Sequence, residues 1–135
     1  IMGQFIPSRS NIDGDLKFTA SDAGIVHEGS GNVTQDTSFS NAVMVSATSG
    51  IITLVGAALN AGAEAEFQVM NSSVKSDSLV LLTVEVPATN TTNATMVAQV
   101  MTIADNSFKV RLSNPGAAAT TTNAHKIHFL VINKS

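Results

Sequence analysis

The chain has 135 residues, a formal net charge of -3, 13% charged residues and no cysteine. That length suits one ordinary domain, which can fold without disulfides or a metal; the missing thiols exclude cysteine catalysis, iron–sulfur clusters and thiolate zinc sites. No Lys/Arg cluster is present to collect phosphates, no apolar run approaches the ~20 residues of a membrane span, and the aromatic residues are all Phe, so nucleic acid, membrane and a rich glycan pocket are all disfavoured as partners.

The opening Ile1-Met2-Gly3-Gln4 lacks the basic and apolar regions of a signal peptide. Residues 1–28 alternate poorly and read as an extended N-terminal arm, with one strand expected around Leu16–Thr19. Asp13-Gly14-Asp15 hints at calcium, but the further oxygen donors and closing Glu of a calcium loop do not follow, so it reads as a turn. Residues 29–135 read as a single β-domain. Strands are expected at Asn41–Ser46 and Gly50–Val55. Next, Ala65, Phe67 and Val69 alternate with Glu64, Glu66 and Gln68, the period-2 signature of a half-buried strand. Ser78–Val86 and Thr95–Ile103 follow, then Phe108, Val110 and Leu112 alternating with Lys109, Arg111 and Ser113, and finally His125–Ile132.

Turn chemistry separates these runs: Thr48-Ser49-Gly50, Ala61-Gly62, Asn71-Ser72-Ser73, Asp105-Asn106-Ser107 and Asn114-Pro115-Gly116. Short strands at regular spacing with such turns imply an all-β fold, an antiparallel β-sandwich or jelly roll. Two loops, 87–95 and 115–124, are small, uncharged and polar. They read either as solvated hairpin loops or as one exposed tip presenting Asn90, Thr91, Asn93 and Thr121 to a partner.

Two strands carry more apolar surface than one sheet face can bury. In Ser78–Val86, Val80, Leu82, Val84 and Val86 share one face, but Leu79 and Leu81 lie on the other. In the last strand Ile127, Phe129 and Val131 oppose Leu130 and Ile132. A lone sandwich should be wet on its second face, so Leu79, Leu81, Leu130 and Ile132 are expected either to meet other subunits or to be covered by Ile12, Leu16, Phe18 and Ile25 of the arm.

Catalytic chemistry has no constellation behind it. His125 and His128 fall on opposite faces of one strand and do not converge on a metal. No Gly-x-Ser-x-Gly elbow and no phosphate loop accompany them. The chain is read as a non-enzyme without cofactor or metal.

The succession of segments resembles a known domain. Gly31-Asn32-Val33-Thr34-Gln35-Asp36-Thr37-Ser38, Ala42-Val43-Met44-Val45, Ser49-Gly50-Ile51-Ile52-Thr53, Leu59-Asn60-Ala61-Gly62-Ala63 and Phe67-Gln68-Val69-Met70-Asn71-Ser72 are followed by Asp77–Leu82, Asn106–Asn114 and Lys126–Ile132. This order is similar to a domain of tailed-bacteriophage virion proteins and their prophage relatives. The resemblance implies a structural role on the virion, as a capsid decoration or head-spike subunit. It also implies a homotrimer partnered by the major capsid protein or another virion protein. The alternative is a tail-fibre knob whose Thr/Asn-rich loops bind a host cell-surface receptor.

Overall fold

The computed structural model describes residues 13–15, 17–22, 24–27 and 29–134. Eight strands are present: β1 (Gly31–Thr34), β2 (Val43–Met44), β3 (Ser49–Thr53), β4 (Glu64–Met70), β5 (Leu79–Glu85), β6 (Val97–Ala104), β7 (Ser107–Ser113) and β8 (Lys126–Ile132). They form two four-stranded sheets, ordered β1-β3-β8-β5 and β2-β4-β7-β6, in an all-β sandwich without helix among the described residues.

The chain changes sheet at every step from β1 to β6, makes one hairpin, β6–β7, and crosses back for β8. This zigzag explains a departure from the antiparallel expectation. Parallel neighbours need a crossover between them, and here the crossover is a strand of the opposite sheet. β1 therefore pairs parallel with β3, and β2 parallel with β4. The other four ladders are antiparallel.

Sequence alternation decides which side chains enter the core. Phe67 and Val69 of β4, Phe108, Val110 and Leu112 of β7, and Ile127, Phe129 and Val131 of β8 are all buried. The Phe108 and Phe129 rings meet between the sheets, centroids 6.4 Å apart and planes tilted by 53°. A bulge between Val100 and Thr102 interrupts β6.

Three expectations need correction. Asn41–Ser46 yields only the two-residue β2. Val45 N–H still reaches the Met70 carbonyl of β4, but the Asn41 and Phe39 carbonyls accept from the Gln35 side chain. β1 was not legible as a strand because Gly31 and Asn32 are poor strand formers. Gly31 lies opposite Gly50, and a Cβ on Gly50 would sit 1.7 Å from the Gly31 carbonyl oxygen, so the two strands close only because Gly50 lacks a side chain. In the arm, Leu16 lies outside the described residues, and residues 17–19 form no strand. The ring of His27 meets the Thr48 and Ser49 hydroxyls at 3.0 and 2.9 Å, tying this segment to the start of β3.

Candidate interaction surfaces

Register arranges the outer face of the first sheet in rows. Leu79 stands opposite Ile132, and Leu81 opposite Leu130, which continues to Ser49. Thr83 stands opposite His128 and then Ile51, and Glu85 opposite Lys126 and then Thr53. The four leucine and isoleucine side chains singled out from sequence are thus two adjacent cross-strand pairs, close enough to form one patch. Leu79, Leu81 and Ile132 are 47%, 48% and 45% exposed, and Leu130 is half-buried between its neighbours.

The rest of that face is polar. His128 donates from Nε2 to Glu85 Oε2 at 2.6 Å, and Lys126 reaches Glu85 Oε1 at 3.4 Å. The hydrogen bond from His128, aided by Lys126, holds the Glu85 carboxyl below the usual carboxylate range. The face therefore grades from an apolar corner to a charged end.

Whether the arm covers the corner is decided in part by its own exposure. Phe18 is 48% and Ile25 81% exposed, so neither is packed on the leucines. Ile12 and Leu16, the other two candidates, lie outside the described residues.

The second sheet presents a different outer face. Glu64 and Glu66 of β4 lie beside Lys109 and Arg111 of β7, with Arg111 donating to Glu66 Oε1 from Nη2 at 2.7 Å and from Nε at 3.0 Å. Arg111 first, then Lys109, keeps the Glu66 carboxyl below its ordinary value. Such exposed pairs add little stability, but they make this face at home in water. Its apolar exceptions are Met101 of β6 and the cross-strand pair Met44 and Met70, which borders a hollow of about 190 Å³ with Ser46, Ser72 and Asn106. Sequence reading missed this pair. Its only signal was two methionines at outward positions of strands that otherwise face out with charge.

The two polar loops meet at the far end of the sandwich, where β5 ends and β8 begins. Thr121 donates its backbone N–H to Asn90 Oδ1, the Asn90 side chain caps the Ala94 carbonyl, and Ala117 N–H bonds the Asn93 carbonyl. Thr91 and Asn93 are exposed, while Asn90 and Thr121 are half-buried and spend their polar atoms on the loops themselves. A third loop, 54–63, joins them.

Asn114 is the knot of this end. Its Oδ1 accepts from Thr95 and Gly116 N–H, and its Nδ2 donates to the Leu59 and Ala118 carbonyls. Gly116 is required beside it, because a Cβ there would lie 2.2 Å from the Asn93 carbonyl oxygen. Asn71 plays the corresponding part at the opposite end, donating to the Ala47 carbonyl and accepting from Ala47 and Ser73 N–H.

His125 is buried, its Nε2 has no partner among the described residues, and burial lowers its pKa from the ordinary histidine value. Among the described residues no three His, Asp or Glu side chains converge as a metal site. Asp13 and Asp15 are exposed on either side of Gly14. No family model, curated protein or solved structure matches the chain.

Proposed function

We propose that the chain is a non-enzymatic structural subunit that assembles with copies of itself, as a homotrimer on a bacteriophage particle, in the manner of a capsid decoration or head-spike protein. The observation that carries the assembly is the contrast between the two outer faces. One carries a paired charge ladder with methionines at its margins, and the other ends in the contiguous block of Leu79, Leu81, Leu130 and Ile132. Covering a fully exposed side chain of this size is worth roughly 1.5–3 kcal/mol. Half-exposed ones return about half of that, and three subunits multiply it. The virion setting rests on the segment resemblance described above, which makes the major capsid protein the expected partner.

A second reading has an observation of its own. The loops carrying Asn90, Thr91, Asn93 and Thr121 are hydrogen-bonded into one tip, at the end of the sandwich opposite the apolar corner. A knob that holds a receptor there would leave the corner free for its neighbours.

One experiment separates the outcomes. In gel filtration with light scattering, the wild-type mass is expected to be a multiple of three chain masses and Leu81→Glu to lose that factor of three, with unchanged circular dichroism. A monomeric wild type at micromolar concentration sinks the trimer. Thr91→Ala serves as the control: it should leave both mass and capsid binding intact. Loss of host-cell adsorption in that variant alone would move the function to the tip.

A further inference from the structure

A sandwich has four edge strands, and unprotected edges invite pairing with another chain. Three of those here are blunted: β2 has two residues, β6 carries the bulge at Val100/Thr102, and β1 has four residues beginning at Gly31. β5 is different. Its seven residues, Leu79–Glu85, run in unbroken register with β8 and contain no Pro, Gly or Lys.

The direction of its free backbone groups follows from the bonds of β8. Val131 N–H donates to the Thr48 carbonyl, and the His125 carbonyl accepts from Leu54 N–H, so odd-numbered residues of this strand address β3. Its even-numbered residues therefore address β5. Antiparallel partners exchange both bonds as a pair, so Leu79, Leu81, Thr83 and Glu85 are bonded to β8. Val80, Leu82 and Val84 then turn N–H and C=O to the open side, where they find no partner among the described residues.

We infer that this edge receives a second copy of the chain, β5 against β5, antiparallel about a two-fold axis at Leu82. Outward-facing groups meet only if even-numbered residues pair with even-numbered ones. With the axis at Leu82, Val80 bonds the partner's Val84 and Leu82 bonds the partner's Leu82, so all three outward residues are satisfied. Glu85, the one charged residue of the strand, then faces the partner's Leu79 and lies far from its own symmetry mate.

The neighbouring registers are poorer. Moving the axis to Leu81 sets Val84 opposite the partner's Ser78, which precedes the strand's start at Leu79, so one outward residue loses its strand partner. Moving it to Thr83 sets Val80 opposite the partner's Val86, beyond the strand's end at Glu85, and brings the two Glu85 carboxylates closer. The core side of the edge also fits. Leu82 and Val84 are only half-buried in one copy, and each gains cover from its counterpart when the two sheets become one of eight strands. This contact uses backbone and inward side chains, so it does not rest on the outward leucines of the proposed trimer.

Cross-linking tests the register, because the chain has no cysteine of its own. Leu81 and the partner's Thr83 form a non-hydrogen-bonded pair, whose ~4.5 Å Cα spacing lies within disulfide range. Both positions are exposed, so neither substitution disturbs the core. Under mild oxidation, a mixture of Leu81→Cys and Thr83→Cys proteins should give several-fold more covalent dimer than either alone. The yield should persist when Leu130→Ser and Ile132→Ser are added to both. No dimer in the mixture overturns the contact. Leu81→Cys alone cross-linking as fully as the mixture overturns this register and points to packing through the outer face.

Discussion

Replacing Phe108 by alanine probes the seam between the sheets. The ring is 1% exposed, lies between Val69 and Ile103 in its own sheet, and meets Phe129 of the other. Removing a buried Phe costs ~3–5 kcal/mol through lost transfer energy and the cavity left behind. Contact with a second ring accounts for about 0.5–1.5 kcal/mol of this. Against a typical domain stability of about 5–15 kcal/mol, the variant should be folded but fragile. Without Trp or Tyr the protein lacks a fluorescent reporter, so equilibrium urea unfolding should be followed by far-ultraviolet circular dichroism. The midpoint is expected to fall with an unchanged slope, as it does when stability alone changes. The double variant with Phe129→Ala should be less destabilised than the sum of the singles, by about 0.5–1.5 kcal/mol. A loss under ~1 kcal/mol for Phe108→Ala, or strict additivity in the cycle, refutes the packing described here.

Asn114→Ala should cost about 2–4 kcal/mol, because it leaves the Thr95 and Gly116 N–H groups and the Ala118 carbonyl without this partner, part-buried groups at the low end of the ~1–3 kcal/mol such a loss costs, while the Leu59 carbonyl keeps Thr120 N–H. Asn114→Asp should be no better, since it sets a carboxylate against the Leu59 and Ala118 carbonyls. Urea midpoints for both, beside a nearly neutral Thr91→Ala, check the claim, and equal midpoints would show that the tip needs no knot. Stability should also fall as the medium is acidified. His125 has a folded-state pKa below its unfolded value, so the unfolded chain takes up the proton first. The contribution of the neutral ring is whole above about pH 6.5 and is lost progressively below it. Glu66 and Glu85, also depressed, act in the same direction but only below the ordinary carboxylate range near 4.5. His125→Gln should flatten the profile between pH 7 and 5 while leaving the lower limb. A profile unchanged by that substitution would assign the upper limb to another group.

How much of this was legible beforehand follows from what period-2 alternation can carry. β4 and β7 were readable because each has one wet and one dry face, and β5 and β8 stood out as apolar on both faces, though only the structure gives the register that pairs Leu79 with Ile132. Alternation says nothing about direction, so the parallel β1–β3 and β2–β4 ladders were invisible. They depend on the chain crossing between sheets at every strand and on Gly50 admitting the β1 backbone. The strand expected at Asn41–Ser46 shrank because a buried glutamine, not a neighbouring strand, takes the local carbonyls.

The amides that organise both ends were legible only as turn residues, for a related reason. Asn71 and Asn114 sit in sequences that look like exposed turns, Asn71-Ser72-Ser73 and Asn114-Pro115-Gly116, and turn residues are ordinarily wet. Both side chains are instead 1% exposed and serve as surrogate backbone, donating and accepting where loops from distant parts of the chain converge. That use depends on three-dimensional proximity of segments up to 55 residues apart, Leu59 to Asn114 being the longest. It also divides labour across the molecule. Asn90 and Thr121, which looked available for a partner, are consumed in holding the tip while Thr91 and Asn93 stay exposed, and Leu79, Leu81 and Ile132 stand on the outer face where their alternation put them. The exposed apolar side chains of the two sheets are thus divided between the leucine corner of β5 and β8 and the methionines Met44, Met70 and Met101, while the free side of β5 offers backbone groups of its even-numbered residues.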